Sequence, residues 1–186
     1  NLRLCYGNHH MCALEFAIVC KKIEIFAFLR SKGFYTDKSE QLLEIIEQLS
    51  EDEKRLIRDE NLKYIISDPD AFIGILLSKC SFDASSTLHF NEIRQMLIDL
   101  SKFKQFRSVM EVVALSDVKI VFDFKTESVR SMDPTRDEHH MGIAYFKREI
   151  LYVGRNFNKN QLYGTFAHEM THLAIYLVYG NECLPY

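Results

Sequence analysis

The chain has 186 residues, of which 47% are hydrophobic, so it is long enough and apolar enough to bury a core. Its formal net charge is −3, and charges of both signs are spread along it. That distribution argues against a polybasic surface for nucleic acid or an anionic membrane. The apolar run over residues 173–179 is much shorter than the roughly 20 residues that cross a bilayer. We therefore expect a globular protein with no nucleic-acid and no membrane partner.

The number and spacing of the cysteines indicate the redox state of the cellular compartment. There are five of them, widely spaced, and none forms a Cys-x-x-Cys pair. This pattern is typical of a reducing compartment rather than of a disulfide scaffold, so a cytoplasmic location is expected. The first residue is Asn1 rather than Met, and no charged-then-apolar leader follows it. We accordingly expect the chain to be part of a longer polypeptide.

Residues 9–34 carry two short apolar helical patterns separated by two lysines. The apolar positions are Leu14, Phe16, Ala17, Ile23, Ile25, Phe26 and Leu29. Aligned without gaps, the segment resembles an ankyrin repeat, with Cys12-Ala13 in place of the usual Thr-Pro opening and Gly33 at the end of the second helix. The resemblance implies a protein partner; any amphipathic helical hairpin would fit the same pattern. A single repeat cannot bury its own faces, so either further repeats precede it or it packs on the helices that follow.

Residues 37–113 are predicted to form a helical scaffold. Ser50 and Glu53 make a capping box, which predicts the start of a helix at the next residue. The polar stretch 81–87 predicts a loop. Apolar spacing and helix-start signals predict the other helices, over residues 39–49, 71–77 and 89–113.

The period of the pattern changes after residue 117. Residues 118–124 alternate and are rich in β-branched and aromatic side chains, which predicts a strand. Residues 125–140 predict a polar loop. Two further short strands, 142–146 and 150–153, are joined by a charged turn and predict a hairpin.

The last predicted helix carries a His-Glu-x-x-His pattern. Asn158 can cap its start and Gly180 can end it. Because residues four apart lie on one face of a helix, His168 and His172 can present two imidazoles to one Zn²⁺. Glu169 is rotated just far enough to reach a water molecule held there.

Apolar residues are found on both sides of the histidines in the helical pattern. The two stripes consist of Leu162, Phe166, Met170, Leu173 and Leu177, and of Tyr163, Ala167, Ala174 and Val178. We therefore expect this helix to be buried almost all round. Two buried histidines and a carboxylate need partners, which a metal with its water supplies. The alternative is a pair of core histidines bonded to the backbone, with Glu169 at a wet edge.

The predicted order of elements is helices, then a small sheet that ends in a hairpin, then a His-Glu-x-x-His helix. Over about residues 115–180, this order resembles the N-terminal half of a zincin metallopeptidase. The resemblance implies zinc-dependent hydrolysis of a peptide or protein substrate. The metal would activate water, and Glu169 would act as general base and pass the proton to the leaving amine. It also implies that an edge strand, either 142–146 or 150–153, holds the extended substrate by backbone pairing.

The third zinc ligand departs from the zincin pattern. Metzincins continue with a glycine turn and another histidine, whereas Leu173 and Ala174 follow here. Thermolysin-like enzymes use a glutamate from a later helix. The one downstream carboxylate, Glu182, is poorly placed, because about 12 Å of helix separates His172 from Gly180. The candidates, in order of preference, are a residue beyond Tyr186, then Asp137, Glu138, His139 or His140, then Glu182. For His139 and His140 a solvated loop is the favoured alternative.

The sequence therefore predicts an α+β chain in three parts. These are an ankyrin-like repeat over 1–36, a helical scaffold over 37–113, and a zincin-like core with a mixed or antiparallel sheet over 114–186. Zinc-dependent endopeptidase activity is the leading expectation. One alternative is a catalytically incomplete zincin-like domain that serves as a protein-interaction module with the ankyrin-like repeat. Another is a structural zinc site closed by four protein ligands.

Overall fold

The fold is α+β and divides into two compact units, Asn1–Lys79 and Cys80–Tyr186. None of the helices in the described part of the chain combines the length and the apolar composition that a bilayer crossing requires. The computed structural model describes residues 3–6, 9–34, 36, 39–68, 70–82, 87–123, 129–130, 139–140, 142–145, 150–154 and 158–180.

The first unit is a strand pair followed by helices. Its elements are β1 (Arg3–Tyr6), β2 (His9–Cys12), α1 (Ala13–Val19), α2 (Ile23–Ser31), α3 (Ser39–Glu47), α4 (Glu51–Ser67) and α5 (Ala71–Lys79). Strands β1 and β2 are antiparallel. The predicted capping box is confirmed, because the Glu53 amide donates to Ser50 Oγ at 3.3 Å and the Ser50 amide donates to Glu53 Oε2 at 2.9 Å. The helix predicted to start after Ser50 is α4, and the helices predicted over residues 39–49 and 71–77 are confirmed as α3 and α5.

The repeat-like helices α1 and α2 bury their faces on the helices that follow. Helix α1 packs on α3, and α2 packs on α4 and α5. Leu14 and Phe26 therefore lie in one hydrophobic cluster with Leu42 and Ile57. This is the second of the two arrangements expected from the sequence. Because the cluster joins both sides of residue 36, the predicted division there does not coincide with a boundary between compact units.

Among its described residues, the second unit contains a four-stranded mixed sheet, a separate pair of short strands and three helices. Its elements are β3 (Cys80–Phe82), α6 (Thr87–Ser101), α7 (Lys104–Leu115), β4 (Lys119–Asp123), β5 (Val129–Arg130), β6 (His139–His140), β7 (Gly142–Tyr145), β8 (Ile150–Gly154) and α8 (Lys159–Tyr179). The strand order is β3-β4-β8-β7. Strands β3, β4 and β8 are parallel, while β7 and β8 form the predicted antiparallel hairpin. A mixed sheet is thus confirmed.

Three predicted elements are wrong in part. In the predicted loop over 81–87, residues 81 and 82 belong to β3, which pairs with β4, and Thr87 begins α6, while residues 83–86 lie outside the described residues. In the predicted loop over 125–140, residues 129–130 and 139–140 form the paired strands β5 and β6, and the other residues lie outside the described ones. The single helix predicted over 89–113 is two helices that pack on each other. The break falls at Lys102 and Phe103, and the fold-back buries Met96 and Met110 together with their neighbours. Since α6 and α7 belong to the second unit, the predicted division after residue 113 does not coincide with its boundary.

Candidate metal centre

Helix α8 begins and ends where its capping residues predict. Asn158 Oδ1 accepts a hydrogen bond from the amide of Gln161 at 3.0 Å. Gly180 has a φ of 70°, a left-handed value that favours glycine, and its amide donates to the Tyr176 carbonyl. Both ends are therefore fixed by local chemistry, and the His-Glu-x-x-His pattern lies in the middle of 21 helical residues.

One side of α8 is held by the core of the second unit. The helix packs on α7, β7 and β8. Its buried residues are Phe166, Met170, Leu173 and Ala174. The Phe166 ring stacks on Phe122 of β4, with 5.8 Å between ring centroids. At about 100° per residue, these side chains all leave the helix on one side, so they fix which side faces the solvent.

The histidines lie on the opposite side of the helix. His168 is exposed, and Glu169 and His172 are half-buried. The expectation that α8 is buried almost all round is therefore wrong. One apolar stripe is buried, but the other ends at Val178, which is 54% exposed. The exposure of His168 also excludes a pair of core histidines. The pattern lies on an accessible surface.

The two imidazoles converge. His168 Nε2 and His172 Nε2 are 3.0 Å apart, and the two rings are nearly perpendicular, at 84°. Two nitrogens bound to one tetrahedral zinc at about 2.0–2.1 Å would be separated by about 3.3 Å. A contact of this length fits one ring N–H donating to the other ring, and binding one metal through both Nε2 atoms would require each neutral imidazole to carry its proton on Nδ1. The pair fits two of the ligand positions of a zinc ion after a shift of a few tenths of an ångström.

The third ligand is not among the side chains that the structure describes. No group of three or more His, Cys, Asp or Glu that could hold a metal occurs in those residues. Asp137, Glu138 and Glu182 lie outside the described residues. His139 and His140 form strand β6, which pairs with β5. The described part of the candidate centre therefore consists of two imidazoles and one carboxylate.

Sequence reasoning missed a polar contact that attaches the start of α8 to α6. Tyr163 Oη donates to Asp99 Oδ2 at 3.0 Å, and Lys159 Nζ lies 3.6 Å from the same oxygen. Asp99 also accepts from Lys102 Nζ at 2.8 Å and from Gln95 Nε2 at 3.0 Å. The Lys102 ammonium, then the Gln95 amide and the Tyr163 hydroxyl, lower the pKa of Asp99 to about 2. The spacing of Gln95, Asp99 and Lys102 signals the local bonds, but the contact with Tyr163 has no sequence signal.

Replacing Asp99 with Asn is expected to destabilise the second unit in a pH-dependent way. A carboxyl with a lowered pKa contributes stability above its unfolded-state pKa and loses it as the pH falls through the folded value. The difference between wild type and Asp99→Asn should therefore be full near neutrality and disappear between about pH 4 and pH 2. Urea denaturation at a series of pH values measures it.

The Tyr163 hydroxyl should account for part of the stability that is lost in Asp99→Asn. Tyr163→Phe is therefore expected to destabilise the second unit in the same pH range, but by less. Tyr179→Phe is the matched control, because it removes a hydroxyl from a residue that is 63% exposed at the other end of α8. A pH-independent difference for Asp99→Asn would contradict the ionic origin of the contact.

The candidate centre thus combines two converging imidazoles, an adjacent carboxylate and an open helix face. The chain matches no protein-family model, no curated protein and no solved structure.

Proposed function

We propose that this chain is the catalytic part of a zinc-dependent metallopeptidase of the zincin type. The observation that carries the proposal is the 3.0 Å separation of His168 Nε2 and His172 Nε2 on the solvent-facing side of a capped helix. Neutral imidazoles are ligands that zinc prefers, and a catalytic site needs an open approach. An exposed pair fits that requirement better than a pair enclosed in the core.

The roles of the residues follow from their places on the helix. His168 and His172 hold the metal, which when bound polarises the scissile carbonyl and activates water. Glu169 is one residue, or about 100°, from His168, which puts its carboxylate beside the pair rather than between the rings. From there it accepts a proton from the attacking water and delivers it to the leaving amine.

The sheet order supports β7 as the strand that would hold the substrate. Strand β8 lies between β4 and β7, whereas β7 pairs with β8 alone among the described strands. Strand β7 also packs on α8. Of the two strands expected to bind substrate, β7 is therefore the one at the edge of the described sheet, where an extended peptide would add by backbone hydrogen bonds.

Methylation of substrate amides tests the strand-addition hypothesis. An added strand turns every second N–H toward β7. N-methylation at one set of alternate positions should therefore reduce cleavage by about tenfold or more, and methylation of the intervening amides should have little effect. Rates are measured by mass spectrometry on one cleavable peptide and its methylated series. Equal losses for the two sets would contradict backbone pairing.

Zinc content and peptide cleavage test the function itself. Protein purified without chelator should bind zinc with a stoichiometry of one and cleave members of a peptide library. Removal of zinc by a chelator should stop cleavage, and added zinc should restore it. Failure to bind zinc would overturn the proposal.

An incomplete zincin-like domain that serves as an interaction module is the second candidate. It is favoured by the two-ligand set in the described residues. Its signature would be partner binding through the ankyrin-like helices that is unchanged in His168→Ala, with no cleavage by the whole protein. A zinc ion closed by four protein ligands, with no exchangeable water, would indicate a structural site instead.

A further inference from the structure

Gly164 lies on the same side of α8 as the histidine pair. Residues 164, 168 and 172 are spaced four apart, so they follow one another along one helix face. Gly164 is exposed, as His168 is. Because helical side chains lean toward the N-terminus of the helix, the surface above Gly164 borders the imidazole of His168.

The described residues give no reason for a glycine at this position. Gly33 and Gly180 have φ values of 75° and 70°, which side chains rarely adopt. Gly74 is helical, but a Cβ there would lie 2.3 Å from the Arg30 carbonyl oxygen. A Cβ on Gly164 would have no atom of the described residues within 4 Å. A glycine inside a helix is less stable than an alanine, so Gly164 carries a cost that neither its backbone conformation nor its packing against the described residues explains.

We infer that Gly164 keeps open the side of the histidine pair from which substrate approaches, and that it allows a large substrate side chain next to the scissile bond. This inference rests on the proposed function. A ligand that reaches the metal across the N-terminal side of His168 must pass above residue 164. A side chain there would occupy that space, whereas glycine leaves it free.

Two hydroxamates that share one metal-binding group but differ in size distinguish a loss of access to the metal from a loss of metal binding. Acetohydroxamate is small, and N-acetylphenylalanine hydroxamate carries a bulky side chain. Their affinities for zinc-loaded protein are measured by calorimetry, together with zinc affinity by competition with a coloured chelator. Gly164→Leu should weaken the phenylalanine hydroxamate by about tenfold or more, because the added side chain fills the space that the ring needs. The affinities of Gly164→Leu for acetohydroxamate and for zinc should change by no more than about twofold. Gly164→Ala should lose less affinity for the phenylalanine hydroxamate than Gly164→Leu does.

Asn160→Leu is the matched control. Asn160 is exposed on the same helix, one turn farther from the histidines, so its Cα is about 12 Å from that of His168 along the axis rather than about 6 Å. The inference is overturned if Asn160→Leu reproduces the loss, if both hydroxamates weaken equally, or if neither weakens. Absence of zinc binding by the unsubstituted protein would overturn the proposed function and this inference together. Zinc binding with unchanged hydroxamate affinities in Gly164→Leu would overturn the inference alone.

Discussion

Glu169→Gln is expected to reduce peptide hydrolysis by about 10²–10⁴-fold while leaving zinc bound. Glutamine has the size and the hydrogen-bonding oxygen of glutamate but cannot accept a proton at neutral pH. Since the metal ligands of the proposed centre are His168 and His172, the substitution should separate chemistry from binding. Zinc stoichiometry and kcat/KM for one cleaved peptide, measured on the same preparation, give the two readouts.

The histidine variants, in contrast, should lose zinc binding and activity together. His168→Ala and His172→Ala each leave one imidazole of the pair, so both should lose stoichiometric zinc along with activity. Zinc should raise the melting temperature of wild type and of Glu169→Gln, but not of either alanine variant, because a ligand stabilises only the state that binds it. Glu44→Gln, at an exposed position of α3, is the matched control and should change neither readout. Undiminished cleavage by Glu169→Gln would refute its role as the base.

The features that the sequence predicts well are those set by neighbouring residues. Asn158 with Gln161, and Ser50 with Glu53, cap helices through bonds that span three residues. The β7–β8 hairpin likewise joins segments close in sequence. Such contacts leave a local pattern of residue types, so the sequence predicts the start of α4 and both ends of α8.

The features that were missed depend on distant partners. Strand β3 has three residues and pairs with β4, whose residues lie 40 positions later. Tyr163 and Asp99 are separated by 64 positions. Periodicity showed that α8 has apolar residues on two sides, but it could not show that only one of these sides faces the sheet. For the same reason the sequence predicts two zinc ligands on one helix face and leaves the third undecided.

Gly74→Ala is expected to destabilise the first unit by about 3 kcal/mol or more. The added Cβ would lie 2.3 Å from the Arg30 carbonyl oxygen and 2.8 Å from the Gly33 amide nitrogen. Both atoms belong to the backbone, so neither can turn aside as a flexible side chain would. Helices α2 and α5 would have to separate, which would also strain the 3.4 Å hydrogen bond from the Arg30 guanidinium to the Ile75 carbonyl. Urea denaturation, followed through amide hydrogen exchange in α2 and α5, measures the loss.

Gly164→Ala is the matched substitution, because Gly164 is also helical but an added Cβ there would have none of the described atoms within 4 Å. There the alanine should stabilise the helix by about 0.5–1 kcal/mol through its higher helix propensity. The same chemical change is therefore expected to have opposite signs at the two glycines. At Gly74 close packing of two helices outweighs propensity, while at Gly164 propensity acts alone. If Gly74→Ala were as stable as wild type, the close approach of α2 to α5 would be refuted, since no side-chain rearrangement could relieve a contact between the added Cβ and backbone atoms.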